Sequence, residues 1–181
     1  PNKPMVPTLE QANLIKDLQG FAQAATLLQH ADPQAISSRV VLAHRGRGKS
    51  TALGIALAQI TQTNNKIRCA ITGPNKASLA QLEKSYQDAL FTNASLMDAP
   101  VKNTLAPSLF FSPDSLIHNP EPVNLLIVDE AAALPLPVLK SLLNTYKHLV
   151  FSSTDHGYEG AGRGFGIKFF DYLKDTSQNF K

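Results

Sequence analysis

Apolar residues along this chain follow two rhythms. In the first, Leu14, Leu18, Phe21, Ala25 and Leu28 recur every three or four residues, the period of one buried helical face. Asp32-Pro33 ends that stripe, because the residue before a proline is pushed out of the helical region. Leu79, Leu82, Tyr86 and Leu90 predict a second amphipathic helix, and Thr51 to Ile60 one that is buried on most sides. The second rhythm is the short unbroken apolar run: Arg39–Ala43, Ile67–Thr72, Leu125–Val128 and His148–Ser153, with Leu109–Phe111 as a shorter candidate. Pro113 to Ile117 predicts a helical turn, Pro135 or Pro137 opens a helix reaching about Tyr146, and a last helix covers roughly Gly166 to Leu173. Residues 92–107 are polar and proline-containing and predict no element, and 119–122 reads as a loop. Strands that alternate with helices and read as continuous apolar runs predict an α/β fold, its mainly parallel sheet covered by helices on both faces.

Composition narrows the class. A length of 181 residues suits one domain with its own core, expected over 1–181 with 1–7 and 174–181 frayed. Opening on Pro1 rather than Met, the chain is expected to be a piece of a longer protein. Charged residues are 17%, too few for an acidic tail, a charged coiled coil or a basic arm. A net charge of +3 permits a polyanionic partner without demanding one. The lone Cys69 excludes a disulfide framework and a cysteine-based zinc site, and fits a reducing, cytoplasmic setting. No apolar run approaches the roughly 18–20 residues that span a bilayer, so no membrane partner is expected. The expected state is a monomer.

The chemistry concentrates in three places. Ala43-His44-Arg45-Gly46-Arg47-Gly48-Lys49-Ser50 lies between a predicted strand and a predicted helix, the context of a phosphate-binding P-loop. There Gly46 and Gly48 let backbone N–H groups curl around phosphate, and Lys49 reaches the β/γ-phosphates. Ser50 binds Mg²⁺, and the following helix, with Thr51 in its first turn, aims its positive end at the anion. Ala43 stands where the full motif has glycine, and a basic surface loop is the plainer alternative. Asp129 and Glu130 follow the buried run Leu125–Val128, at the strand end where open α/β sheets bind ligands. Asp129 suits Mg²⁺, directly or through water, and Glu130 suits a general base; two solvated acids is the alternative.

Five of the ten glycines, Gly157, Gly160, Gly162, Gly164 and Gly166, crowd one loop after the last strand. Arg163 within it is a candidate for stabilising γ-phosphate charge, against a mere hinge. Ser153, Asp155 and His156 at the end of that strand suit a γ-phosphate sensor rather than a hydrolase, since no nucleophile elbow frames them. Gln11 has two open readings. Thr8 and Gln11 fit a helix capping box, while an amide upstream of a phosphate loop also suits the donor–acceptor edge of adenine, the reading its position favours. Thr72-Gly73-Pro74-Asn75-Lys76 is either a contact for a nucleic-acid backbone or an ordinary turn.

Three stretches together resemble the ATPase module of bacterial tRNA(Met) cytidine acetyltransferases. They are Arg45 to Ser50, Val128-Asp129-Glu130-Ala131-Ala132-Ala133-Leu134-Pro135, and His156-Gly157-Tyr158-Glu159-Gly160-Ala161-Gly162-Arg163-Gly164-Phe165. The last string is far more specific than any P-loop. Ala43 and Thr72 to Ser78 also match the family pattern, and the similarity runs from about Thr8 to Phe170. The resemblance implies a RecA-like, helicase-type fold that hydrolyses ATP or GTP with Mg²⁺. It implies nucleotide contacts from Gln11, the loop Gly46–Ser50 and Arg163, with Asp129 and Glu130 as metal and water-activating acids. It implies elongator tRNA(Met) as the partner of the full enzyme, and acetyl-CoA only in a separate acetyltransferase domain, for which these residues carry no pyrophosphate loop. Two other readings stay open: a RecA-like domain of a RecD-type DNA helicase, and a non-catalytic nucleotide-binding regulator. RNA- against DNA-stimulated turnover separates the first from the family reading.

Overall fold

Strands of four residues with no exposed position put the sheet at the centre of this fold. The computed structural model describes residues 9–31, 37–43, 48–63, 67–74, 76–96, 109–154, 169, 171–172, 175 and 179–180. In chain order these form α1 (Leu9–Ala31), β1 (Ser37–Ala43), α2 (Lys49–Thr63), β2 (Cys69–Thr72), α3 (Lys76–Leu96), α4 (Pro113–His118), β3 (Leu125–Val128), a 3₁₀ turn (Ala131–Ala133), α5 (Leu136–Thr145), β4 (His148–Thr154) and β5 (Asn179–Phe180). Among the described residues the strands form one sheet in the order β2-β3-β4-β1-β5, every pairing parallel. β4 therefore lies between β1 and β3.

The registers pair Thr72 with Val128, Val128 with Phe151, and Ala43 with Thr154, so the C-terminal ends of β1 to β4 form one edge. Alternation along each strand divides the apolar residues between two cores. Cys69, Ile71, Leu125, Ile127 and Val150 face α1, α2 and α3, where Leu18, Leu53, Leu57 and Leu82 are fully buried. Ala70, Leu126, Val128, Leu149 and Phe151 face α4 and α5, with Leu116, Leu139 and Leu142. Phe169 belongs to this second core, its ring edge-on to Phe151 at a centroid distance of 5.0 Å. Burial on both faces is why these strands read as unbroken apolar runs.

Leu109–Phe111, expected as a strand, contributes only a single bridge. Ile71 N–H donates to the Leu109 carbonyl and Phe111 N–H donates to that of Ile71. The pairing stops because Ser112 caps α4, its hydroxyl accepting from Ser115 N–H at 3.1 Å, and Pro113 has no N–H to continue a ladder. β5 pairs Asn179 and Phe180 with Ser37 and Ser38, a stretch in which no strand is expected from sequence. The expected last helix is described only at Phe169, Asp171 and Tyr172.

α2 and α3 meet at Gly54. A Cβ there would lie 2.7 Å from the Leu82 carbonyl oxygen and 2.8 Å from Tyr86 N. Backbone cannot yield as a side-chain tip can. Gly54→Ala is therefore expected to destabilise by about 1–3 kcal/mol, outweighing the roughly 1 kcal/mol that alanine gains in helix propensity. A urea midpoint equal to or above wild type would contradict this close packing.

Candidate functional site

The site is built from one loop end and two strand ends. Gly48 precedes α2 with φ at +71°, a left-handed conformation at ease only without a Cβ. A side chain there would also run into the Gln11 amide. Gln11 Nε2 donates to the Gly48 carbonyl at 3.1 Å, and that carbonyl also accepts from Ala52 N–H at 2.9 Å, opening the ladder of α2. α1 thus braces the start of the helix that carries Lys49. The first N–H groups of α2 have no intrahelical partner and point to this sheet edge.

On the facing side, Asp129 continues β3 by one residue, its N–H donating to the Thr72 carbonyl at 2.9 Å. Asp129 is wholly buried. Glu130 then turns the chain with φ 48° and ψ 45°, the one non-glycine residue at positive φ among those described. That geometry carries strain of about 1–2 kcal/mol for a residue with a Cβ. It lets the chain drop into the 3₁₀ turn, where Ala133 N–H reaches the Glu130 carbonyl. The Glu130 side chain is left 31% exposed.

Lys49 joins the two sides. It is only 7% exposed, and its Nζ donates to Asp129 Oδ1 at 2.5 Å, Ser152 Oγ at 2.8 Å and Glu130 Oε1 at 3.3 Å. All three ammonium donors are used. Ser152 Oγ in turn donates to Asp129 Oδ1 at 3.0 Å. An ammonium and a carboxylate removed from water persist only when paired and hydrogen-bonded in this way. Three polar atoms at the same edge are buried without a partner: Asp129 Oδ2, Thr72 Oγ1 and Ser153 Oγ. Such groups are normally satisfied; of the three, Asp129 Oδ2 is the one that belongs to the Lys49 cluster, while Ser153 lies on the opposite face of the sheet.

The structure brings together Gln11, Gly48, Lys49, Asp129 and Glu130 of the residues expected from sequence. Ser50 and Thr51 occupy the first turn of α2, half-buried, and Thr51 Oγ1 accepts from Gln81 Nε2 at 3.5 Å. Arg45, Gly46, Arg47 and Arg163 lie outside the described residues, as do Thr8, Asp155, His156 and the glycines of the 157–166 loop. Sequence reasoning missed Ser152 and pointed to Ser153. Alternation from Val150 sends Ser152 to the face of α2, while Ser153 shares the other face with Phe151. That alternation was the available signal. Gly73 sits close under Asp129, where a Cβ would be 3.1 Å from its carbonyl oxygen, so the end of β2 borders the same edge.

Other reactive side chains stand apart. Burial pushes the Cys69 thiol up to about 12, which leaves it protonated and unreactive. His148, at the opposite end of β4, is held below the usual histidine range by burial and by neighbouring Lys147. No group of three or more His, Cys, Asp or Glu among the described residues could hold a metal. No helix among them is long and apolar enough to cross a membrane.

Fold and site define an α/β protein with a parallel sheet, whose candidate ligand edge lies at the C-terminal strand ends around a buried lysine–aspartate pair. The family model for the helicase domain of RNA cytidine acetyltransferase NAT10/TcmA matches residues 40–181, and the chain belongs to that family. It is 42% identical over 135 residues to the tRNA(Met) cytidine acetyltransferase TmcA of Vibrio cholerae, covering 75% of this chain and 19% of the relative. It is 39% identical over 142 residues to TmcA of Nitrosococcus halophilus, covering 78% and 19%. With TmcA of Haloarcula marismortui the identity is 35% over 172 residues, covering 90% and 21%. The chain thus spans about a fifth of the length of the curated relatives it matches.

Proposed function

We propose that this chain is the RecA-like, P-loop nucleotide-hydrolysing module of a tRNA(Met) cytidine acetyltransferase, binding ATP or GTP with Mg²⁺. The observation that carries the reading is Lys49. It opens α2 directly after a left-handed glycine, and it is buried against the acid that follows β3. A lysine at the positive end of a helix is a phosphate ligand by position, and its pairing with Asp129 supplies the counter-charge while no phosphate is bound.

The residues also fit the metal. Mg²⁺ takes hard oxygen ligands, and Asp129 Oδ2 is a buried carboxylate oxygen with no hydrogen bond, while Ser50 contributes a hydroxyl in the first turn of α2. When bound, Mg²⁺ neutralises charge on the β- and γ-phosphates. The chain's own groups do the rest. Lys49 exchanges its bond to Asp129 for a phosphate oxygen, and the N–H groups of α2 hold the same anion. Glu130, partly exposed and turned into the site by its left-handed backbone, orients water and takes its proton as general base. Arg163 adds charge at the γ-phosphate, and Arg45, Gly46, Arg47 and Thr51 complete the phosphate cradle.

Hydrolysis in this reading changes the loop after β4 and with it the grip on elongator tRNA(Met), with acetyl-CoA handled by another domain of the full enzyme. The protein works in the cytoplasm, where the tRNA is. Calorimetric titration tests the core of the proposal: Mg-ATP or Mg-GTP is expected to give saturable heat at one site per chain. Absence of saturable binding with both nucleotides refutes it.

A further inference from the structure

Ser152 occupies an unusual position for a residue with no assigned role. It is fully buried, and its hydroxyl bridges the two charged groups of the site by accepting from Lys49 and donating to Asp129. It reaches both because β4 lies between β1 and β3. Both bonds to the Asp129 carboxylate, from Lys49 and from Ser152, fall on Oδ1, while Oδ2 has none.

This arrangement has a consequence that rests on the nucleotide reading above. When Lys49 turns to a phosphate, Oδ1 loses its ammonium partner. A carboxylate turns easily about its terminal torsion, which has broad wells. We infer that Ser152 is a positioning residue for Asp129: once Lys49 has left, the Ser152 hydroxyl keeps Oδ1 held and Oδ2 presented to the divalent cation. Ser152 touches neither nucleotide nor metal in this role. It acts on how strongly the cation and the nucleotide bind together. Lying two residues before the end of β4, it also ties the orientation of Asp129 to the strand that precedes the glycine-rich stretch of the sequence.

The test separates Mg²⁺ coupling from nucleotide binding. Binding of a fluorescent methylanthraniloyl-ATP is measured by fluorescence for the protein and its variants, first in EDTA and then across a Mg²⁺ titration. Ser152→Ala, and Ser152→Cys, which keeps the side-chain size, are expected to raise the Mg²⁺ concentration at half-saturation about 10-fold or more, the usual effect of losing an outer-shell partner. Affinity in EDTA is expected to stay near wild type. In an Asp129→Asn background, Ser152→Ala is expected to add nothing further, because it acts through that carboxylate. Unchanged Mg²⁺ dependence in both serine variants overturns the inference, and so does a parallel loss of affinity in EDTA. If Lys49→Ala loses nucleotide while the serine variants titrate as wild type, only this inference fails. If wild type binds no nucleotide with or without Mg²⁺, the nucleotide reading fails with it.

Discussion

Lys49→Ala is expected to lower the affinity for Mg-ATP by at least about 100-fold, or roughly 2.7 kcal/mol. The side chain supplies a full positive charge in a site that is nearly sealed from water, and charge-assisted hydrogen bonds there are about twice as strong as neutral ones. The substitution also strips the buried Asp129 of its ammonium, and breaking such a pair destabilises by about 3–5 kcal/mol. A loss of binding alone would therefore be ambiguous. The double variant Lys49→Ala/Asp129→Asn removes both charges and is expected to recover most of that stability in urea denaturation while still failing to bind. Calorimetry on both variants checks the pair of outcomes. Unchanged affinity in Lys49→Ala would sink the assignment of the loop to phosphate.

Glu130→Gln is expected to leave nucleotide affinity nearly intact and to lower turnover by about 100-fold or more, the contribution typical of a positioned general base. The amide keeps the size of the side chain and its reach toward Lys49, now 3.3 Å from Oε1, but cannot take a proton. The left-handed backbone at Glu130 sharpens the expectation. A glycine would relax that conformation, so Glu130→Gly is expected to be slightly more stable than wild type and equally slow. A strained residue retained where strain could be shed is what a functional carboxylate predicts. Steady-state hydrolysis unaltered in Glu130→Gln would overturn Glu130 as the base, whereas nucleotide binding without hydrolysis in wild type would favour the non-catalytic regulator.

Legibility from sequence followed how much of each feature is local. Leu125–Val128 was readable because burial on both faces leaves no polar position in the run. Lys49 and Asp129 were readable because each lies directly beside an element boundary, one opening α2 and the other following β3. The start of α1 at Leu9 was legible in the Thr8–Gln11 capping pattern rather than in the apolar stripe, which begins only at Leu14. Leu109–Phe111 had strand composition but too little length before the Ser112 cap. For Ser152 the alternation along β4 gave the face but not the role. A serine at a strand end has no pattern of its own, and its importance depends on β4 lying between β1 and β3, which is a property of strand order. Gln11 lay between these cases: its chemistry was visible, but its bond to Gly48 spans 37 residues of chain.

The close approach at Gly54 turns two helices into one lever. α2 begins at the lysine, and five residues later its backbone is pressed on that of α3 at Leu82 and Tyr86. Neither helix tilts there without the other. From Tyr86 to Leu96, α3 continues for roughly 15 Å beyond the pinch, so a rotation of about 5° at the fulcrum displaces its tip by roughly 1.3 Å. Phe91, 63% exposed, rides on that outer arm. A small displacement of Lys49's helix is thereby carried along α3 to an exposed apolar side chain well away from the lysine.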